Sequence, residues 1–148
     1  MDSARPGWRE RAAKRKSPWN LLQLFLSITL TGTVGAAIFF ALWGFHILIY
    51  PEHSLFISTE KDVPLFSIIS GTLMFLPIPF MAIPVAGLLT NAITHRIPAA
   101  RKALDAEAEG DPEATFEGAN AGLTKFARYA FTIGITLAII GAATLKNI

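Results

Sequence analysis

Residues 19–51 read WNLLQLFLSITLTGTVGAAIFFALWGFHILIYP, a run with no Asp, Glu, Lys or Arg. A helix rises about 1.5 Å per residue, so about 20 apolar residues cross the roughly 30 Å of bilayer hydrocarbon. This run is longer than that. A helix of a soluble bundle keeps a charged face, and no face of this one carries a charge. A membrane span is the reading that fits.

Two further runs repeat the pattern. Val63 to Thr94 is uncharged, and a last apolar run extends from Tyr129 to Leu145. Hydrophobic residues make up 52% of the 148 and charged residues 16%, against about 25% charged in an average soluble domain. The chain lacks the polar material to cover a water-facing surface, and it is far too apolar for intrinsic disorder. Cysteine is absent, which excludes disulfides, Cys-ligated zinc or iron–sulfur clusters, and a thiol nucleophile.

The expectation is an all-α integral membrane protein with three transmembrane helices. A basic cytoplasmic segment over 1–18 leads to spans at 19–50, 64–94 and 123–146. A short outer loop occupies 51–63 and a cytoplasmic helical loop 95–122. A cleaved signal peptide is the competing reading of the start, but its apolar core is only about 7–15 residues, so a retained signal-anchor helix is expected.

Lys and Arg near span ends stay on the cytoplasmic side. The head carries Arg5, Arg9, Arg11, Lys14, Arg15 and Lys16; the second loop and the foot of the third span carry Arg96, Arg101, Lys102, Lys125 and Arg128. Only Lys61 and Lys146 fall on the other side. The N-terminus is therefore expected inside and the C-terminus outside, in a bacterial inner membrane. Trp19 at one end of the first span and Trp43 and Tyr50 at the other suit interfacial aromatic belts. The basic head is a candidate surface for anionic lipids. No fold or aromatic interleaving accompanies these charges, so nucleic acid is not an expected partner.

In the second span, Asp62-Val63-Pro64 reads as an N-cap with proline in the first turn. Pro77, Pro79 and Pro84 follow, each removing a backbone N–H. The Pro77/Pro79 pair predicts an unwound turn and a kink near mid-membrane. A re-entrant hairpin, 65–76 in and 80–93 out, is the alternative, and it conflicts with the charge bias.

Small residues recur at every fourth position in two spans. Thr29, Thr33, Ala37 and Ala41 form one row, with Gly32 and Ala36 beside it. Ala130, Gly134, Ala138 and Ala142 form the other. Residues four apart share a helix face, and small side chains let membrane helices approach closely. Packing of the first row on the third span is one reading, and an outside partner is the other. Phe39, Phe40 and Trp43 are expected to face lipid or a larger partner. In the loop, Pro98 starts a helix that Gly110 stops, and Asp111-Pro112-Glu113 reads as the N-cap of the helix entering span three. The loop's acids form a solvated face or dock a basic partner.

Chemistry is sparse. His46 and His53 lie toward the outer face and His95 toward the inner one, so no three-histidine metal site forms within one chain, and no metal is expected. There is no Walker loop, HExxH, GxSxG or dinucleotide fingerprint, and no catalytic residue is assigned. His46 is a candidate axial ligand for haem or chlorophyll. The leading functional expectation is a non-catalytic accessory subunit that stabilises or helps assemble a larger membrane complex of respiratory, photosynthetic or transport type. The alternatives are a homo-oligomeric channel or small transporter built on the Pro77/Pro79 break and Asn91, and a cofactor-binding subunit built on His46.

Overall fold

The computed structural model describes residues 7–52 and 64–145. All regular elements among them are helices: α1 (Trp8–Lys14), α2 (Pro18–Ile49), α3 (Leu65–Phe75), α4 (Pro77–His95), α5 (Pro98–Glu107) and α6 (Phe116–Thr144). Three segments are long and apolar enough to cross a membrane: Pro18–Ile49, Leu65–His95 and Phe116–Thr144. The chain runs up through α2, down through α3 and α4, and up through α6. α4 is the middle layer, packed on α2 and on α6, while α3 packs on α6 and α2 meets α6 only lightly.

Two helices, α2 and α6, start at a side-chain cap. Ser17 accepts a hydrogen bond from the Trp19 amide at 3.3 Å, and Pro18 occupies the first turn, where its missing N–H costs nothing. α6 begins at Thr115, whose hydroxyl accepts from the Gly118 amide at 3.1 Å. The cap expected at Asp111 is displaced four residues down the chain. Asp111 instead accepts from the Glu113 amide at 3.3 Å within a turn, a local bond that competes with helix initiation. Gly110 takes φ 80, a backbone angle that glycine adopts freely, and so ends the α5 segment. The expected cap at Asp62 and the loop at 53–63 lie outside the described residues.

The proline pair interrupts hydrogen bonding without unwinding a turn. Leu76, between α3 and α4, keeps right-handed helical angles (φ −58, ψ −38), and its amide still donates to the Thr72 carbonyl at 2.9 Å. Proline fixes φ near the helical value, so two prolines in series preserve the helical path while the carbonyls of Leu73 and Phe75 lose their donors. The expected unwound turn is corrected to this one-residue seam, across which Leu65–His95 continues as one candidate span rather than turning back as a hairpin.

The core is made of small and flexible side chains: Met74, Met81, Ala82, Ala86, Ala138 and Ala142 are buried. Against α6 the approach is closest. A Cβ on Gly141 would lie 2.5 Å from the Ser70 carbonyl oxygen and the Met74 amide nitrogen. A Cβ on Gly134 would lie 3.0 Å from Met81 Cγ and 3.2 Å from Pro77 Cβ. Glycine is what admits backbone to backbone there, as small residues do between helices in lipid.

Candidate functional site

Two regions hold the polar chemistry, one at each end of the bundle. At the Tyr50 end, His46 is fully buried, and its Nδ1 donates to the Ala142 carbonyl at 2.7 Å. Tyr50 donates its hydroxyl to the Ala143 carbonyl, and Ser70 pairs with Thr144 at 2.9 Å. The His46 ring lies 5.3 Å from the Trp43 ring and 5.2 Å from that of Tyr50. The imidazole thus locks span one to span three. The residue considered for haem or chlorophyll ligation has no exposed surface and one ring nitrogen engaged by backbone.

At the opposite end, α5 is pinned beneath the spans. Glu107 accepts from the Ser17 amide at 2.8 Å and from the Asn20 side-chain amide at 2.7 Å, so one carboxylate holds the start of α2. Gln23 donates to Thr94 at 3.1 Å and Asn91 to Asn120 at 3.0 Å. His95 Nδ1 donates to the Asn91 carbonyl at 3.1 Å, and the ring lies 4.2 Å from that of Phe116. Arg11 approaches Glu113 at 3.8 Å. Asn91, weighed as a pore residue, is therefore bonded across the α4–α6 seam. Among the described residues no group of three or more His, Asp or Glu is placed to hold a metal ion.

The two small-residue rows point in different directions. On α6, Gly134, Ala138 and Ala142 are buried and Ala130 is half-buried. Met81 and Pro77 of α4 face Gly134, and at the Tyr50 end Ala142 also meets α2, through His46 and the cluster around Trp43. On α2, Thr29, Thr33, Ala37 and Ala41 are all exposed, as are Gly32 and Ala36. A Cβ placed on Gly32 or Gly44 would meet nothing within 4 Å. The row does not pack on span three. Gly35, by contrast, faces Ala82 Cβ at 3.7 Å.

The bulky side of α2 is reversed as well. Phe39 stacks on Phe75 with centroids 5.4 Å apart, and Trp43, only 5% exposed, lies beside both rings. Expected toward lipid, Phe39 and Trp43 instead fill the gap between α2 and α3, which aliphatic side chains of lesser reach would leave empty. Phe40 does face outward.

The prolines separate in the same way. Pro77 and Pro84 are buried, and Pro79 is exposed. Of the basic head, Arg9, Lys14, Arg15 and Lys16 are exposed and Arg11 is half-buried, while Arg5 lies outside the described residues. Comparison with protein-family models, with curated proteins and with solved structures finds no match to this chain.

Proposed function

We propose that the chain is a non-catalytic accessory subunit that docks on a larger membrane complex through the outward row of α2. The observation that carries this reading is the exposed, small-residue face running from Thr29 to Ala41. In lipid, close approach of helices is driven by packing over small residues, and glycine inside a helix is about 0.8–1.0 kcal/mol worse than alanine. Gly35 is accounted for by Ala82. Among the described residues Gly32 and Gly44 have no such contact, and a partner helix would supply one. Thr33 donates its hydroxyl to the Thr29 carbonyl at 3.0 Å, so that donor is satisfied within the helix and is not presented to an apolar partner.

The same reading puts the protein in a bacterial inner membrane with its N-terminus in the cytoplasm, because eleven of the thirteen Lys and Arg residues then lie inside. The exposed bases of α1 and its flank rest on anionic headgroups, each contributing about 1 kcal/mol near the surface. A partner complex and the lipid surface then hold the subunit at two different faces.

Gentle detergent extraction followed by native electrophoresis and mass spectrometry tests the docking. The chain should migrate with larger, chemically distinct subunits, and Gly32→Leu should release it as a folded monomer. A single band containing only this chain overturns the reading. Reporter fusions at Ile148 test the orientation, with the extracytoplasmic signal expected.

A further inference from the structure

The ties between the spans fix how their residues line up across the bundle. Gln23 of α2 donates to Thr94, and Asn91, three residues nearer the Tyr50 end of α4, donates to Asn120 of α6. Further along, Gly35 faces Ala82, and Gly134 faces Met81 and Pro77, so the alignment persists. Counted from these ties at about 1.5 Å per residue, Lys125 stands about 12 Å closer to the Tyr50 end than Gln23, and Arg128 about 16 Å closer. Arg128 is then almost level with Gly35, midway along the 32 residues of α2. Both cations are exposed, and neither has an ion-pair partner among the described residues.

The two sides of the molecule therefore ask for different membrane surfaces. On α2, Leu21, Leu24, Phe25 and Ile28 are exposed, and hydrocarbon covers them all only if it reaches past the level of Gln23. On α6, hydrocarbon that deep surrounds Lys125 and Arg128. Raising the inner surface to Tyr129 would free the cations but leave the four apolar side chains of α2 in water. It would also leave only about 24 Å between Tyr129 and Leu145, short of the roughly 30 Å of hydrocarbon. Snorkelling brings Lys125 nearer the surface, and Arg128, almost one turn further in, has more to cover. Ionisable residues at this depth are costly, and a pairing group is what makes them tolerable.

We infer that Lys125 and Arg128 seat a carboxylate carried by a transmembrane helix of another protein. The two cations share a shallow depression on the outer side of α6 with Ala121 and Tyr129. Small Ala121 lets a helix approach, the guanidinium takes a carboxylate in a two-bond fork, and the exposed Tyr129 offers a hydroxyl beside it. A second copy of this chain, inserted the same way, has no acid to give at that depth. No Asp or Glu lies between Glu10 and Glu52, between Asp62 and Asp105, or beyond Glu117. A lipid phosphate would have to leave the headgroup layer to reach Arg128, whereas a membrane helix carries its acid at the depth where it is built. This face is on a different helix from the outward row of α2, and the inference stands if that row meets only lipid.

Two synthetic transmembrane helices of leucine and alanine, one with a single central glutamate and one with leucine there, supply the probe. The chain has no native cysteine, so Ile148→Cys carries one donor dye on the full protein. Energy transfer in phosphatidylcholine vesicles should show the glutamate helix associating about tenfold more tightly than the leucine helix. Lys125→Gln with Arg128→Gln should abolish that difference, and because both side chains are exposed the fold should survive; Arg128→Lys should keep part of it. In native membranes a hydrophobic carbodiimide, which couples an amine to an adjacent carboxylate, should join Lys125 to an Asp or Glu inside an apolar run of a different protein. The double variant should also leave the large complex with the α2 row untouched, while Gly32→Leu tests that row separately. Equal association of the two helices overturns the inference, as does unchanged recovery in the complex once both cations are gone. A preference for phosphatidylglycerol over phosphatidylcholine that vanishes in the double variant, with no preference for the glutamate helix, assigns the cations to lipid and overturns it as well.

Discussion

The rows on α2 and α6 share a spacing and a composition, yet one is the innermost surface of the molecule and the other the outermost. Gly141 and Gly134, on the α6 side, let backbone and methionine of the middle span come within van der Waals distance. Gly32, on the α2 side, faces open space. A four-residue repeat of small side chains therefore specifies a face capable of close approach. It does not specify who approaches. On α6 the partner is within the chain, and on α2 it is proposed to be outside it.

One methyl group distinguishes the two cases. Gly141→Ala puts a Cβ against backbone atoms of Ser70 and Met74 at 2.5 Å. Neither can rotate away, so α6 must shift as a whole, and the change should cost about 3 kcal/mol, the upper end of ordinary overpacking. Gly134→Ala meets Met81 at Cγ and Sδ, which can adapt, and Pro77 Cβ at 3.2 Å, which cannot rotate away, so a smaller loss of about 1–2 kcal/mol is expected. Denaturation in mixed micelles, followed by near-ultraviolet circular dichroism, measures both. Equal stabilities would mean that α6 and the middle span do not approach as closely as their glycines allow.

A second change sharpens the comparison at the Tyr50 end, where α2 does touch α6. His46→Leu keeps bulk between Trp43 and Tyr50 but removes the donor to the Ala142 carbonyl. Loss of a buried hydrogen bond of this kind should cost about 1–2 kcal/mol. If a haem or chlorophyll were held through this ring, the purified protein would also carry a visible absorption band that disappears in the variant. A colourless protein with the expected loss of stability assigns the histidine to packing.

Much of this was legible in the residues, and the rest failed for identifiable physical reasons. The spans were readable because charge is absent over long windows, a property that no alternative fold tolerates. The start of the loop helix was readable at Pro98, which takes its first turn. The N-cap expected at Asp111 failed because an Asp–Pro pair serves a turn as well as a helix start, and Thr115 four residues on served the helix better. The direction of α2 failed for a different reason. The helix is apolar around its whole circumference, so periodicity identifies which residues share a side without saying which side is inward. Phe39 and Trp43 looked like a lipid-facing surface, and only the position of Phe75 shows that the aromatic volume was needed inside. The polar ties Gln23–Thr94, Asn91–Asn120 and Ser17–Glu107 join residues 71, 29 and 90 positions apart, a pairing that no local pattern encodes.

The smallest expected effect is the most informative, because its sign differs from all the others. Gly32→Ala adds a methyl group that touches nothing in the monomer, and alanine is the better helix residue by up to about 1 kcal/mol. The isolated chain in detergent should therefore become slightly more stable, by about 0.5 kcal/mol after allowance for a helix already held by its neighbours. In the native membrane the same methyl stands where a partner backbone is proposed to lie, and the fraction of chain recovered in the large complex should fall. A row that merely faced lipid would show the gain in stability and no loss of association. A row packed within the chain would show the loss in both assays, as Gly141→Ala does.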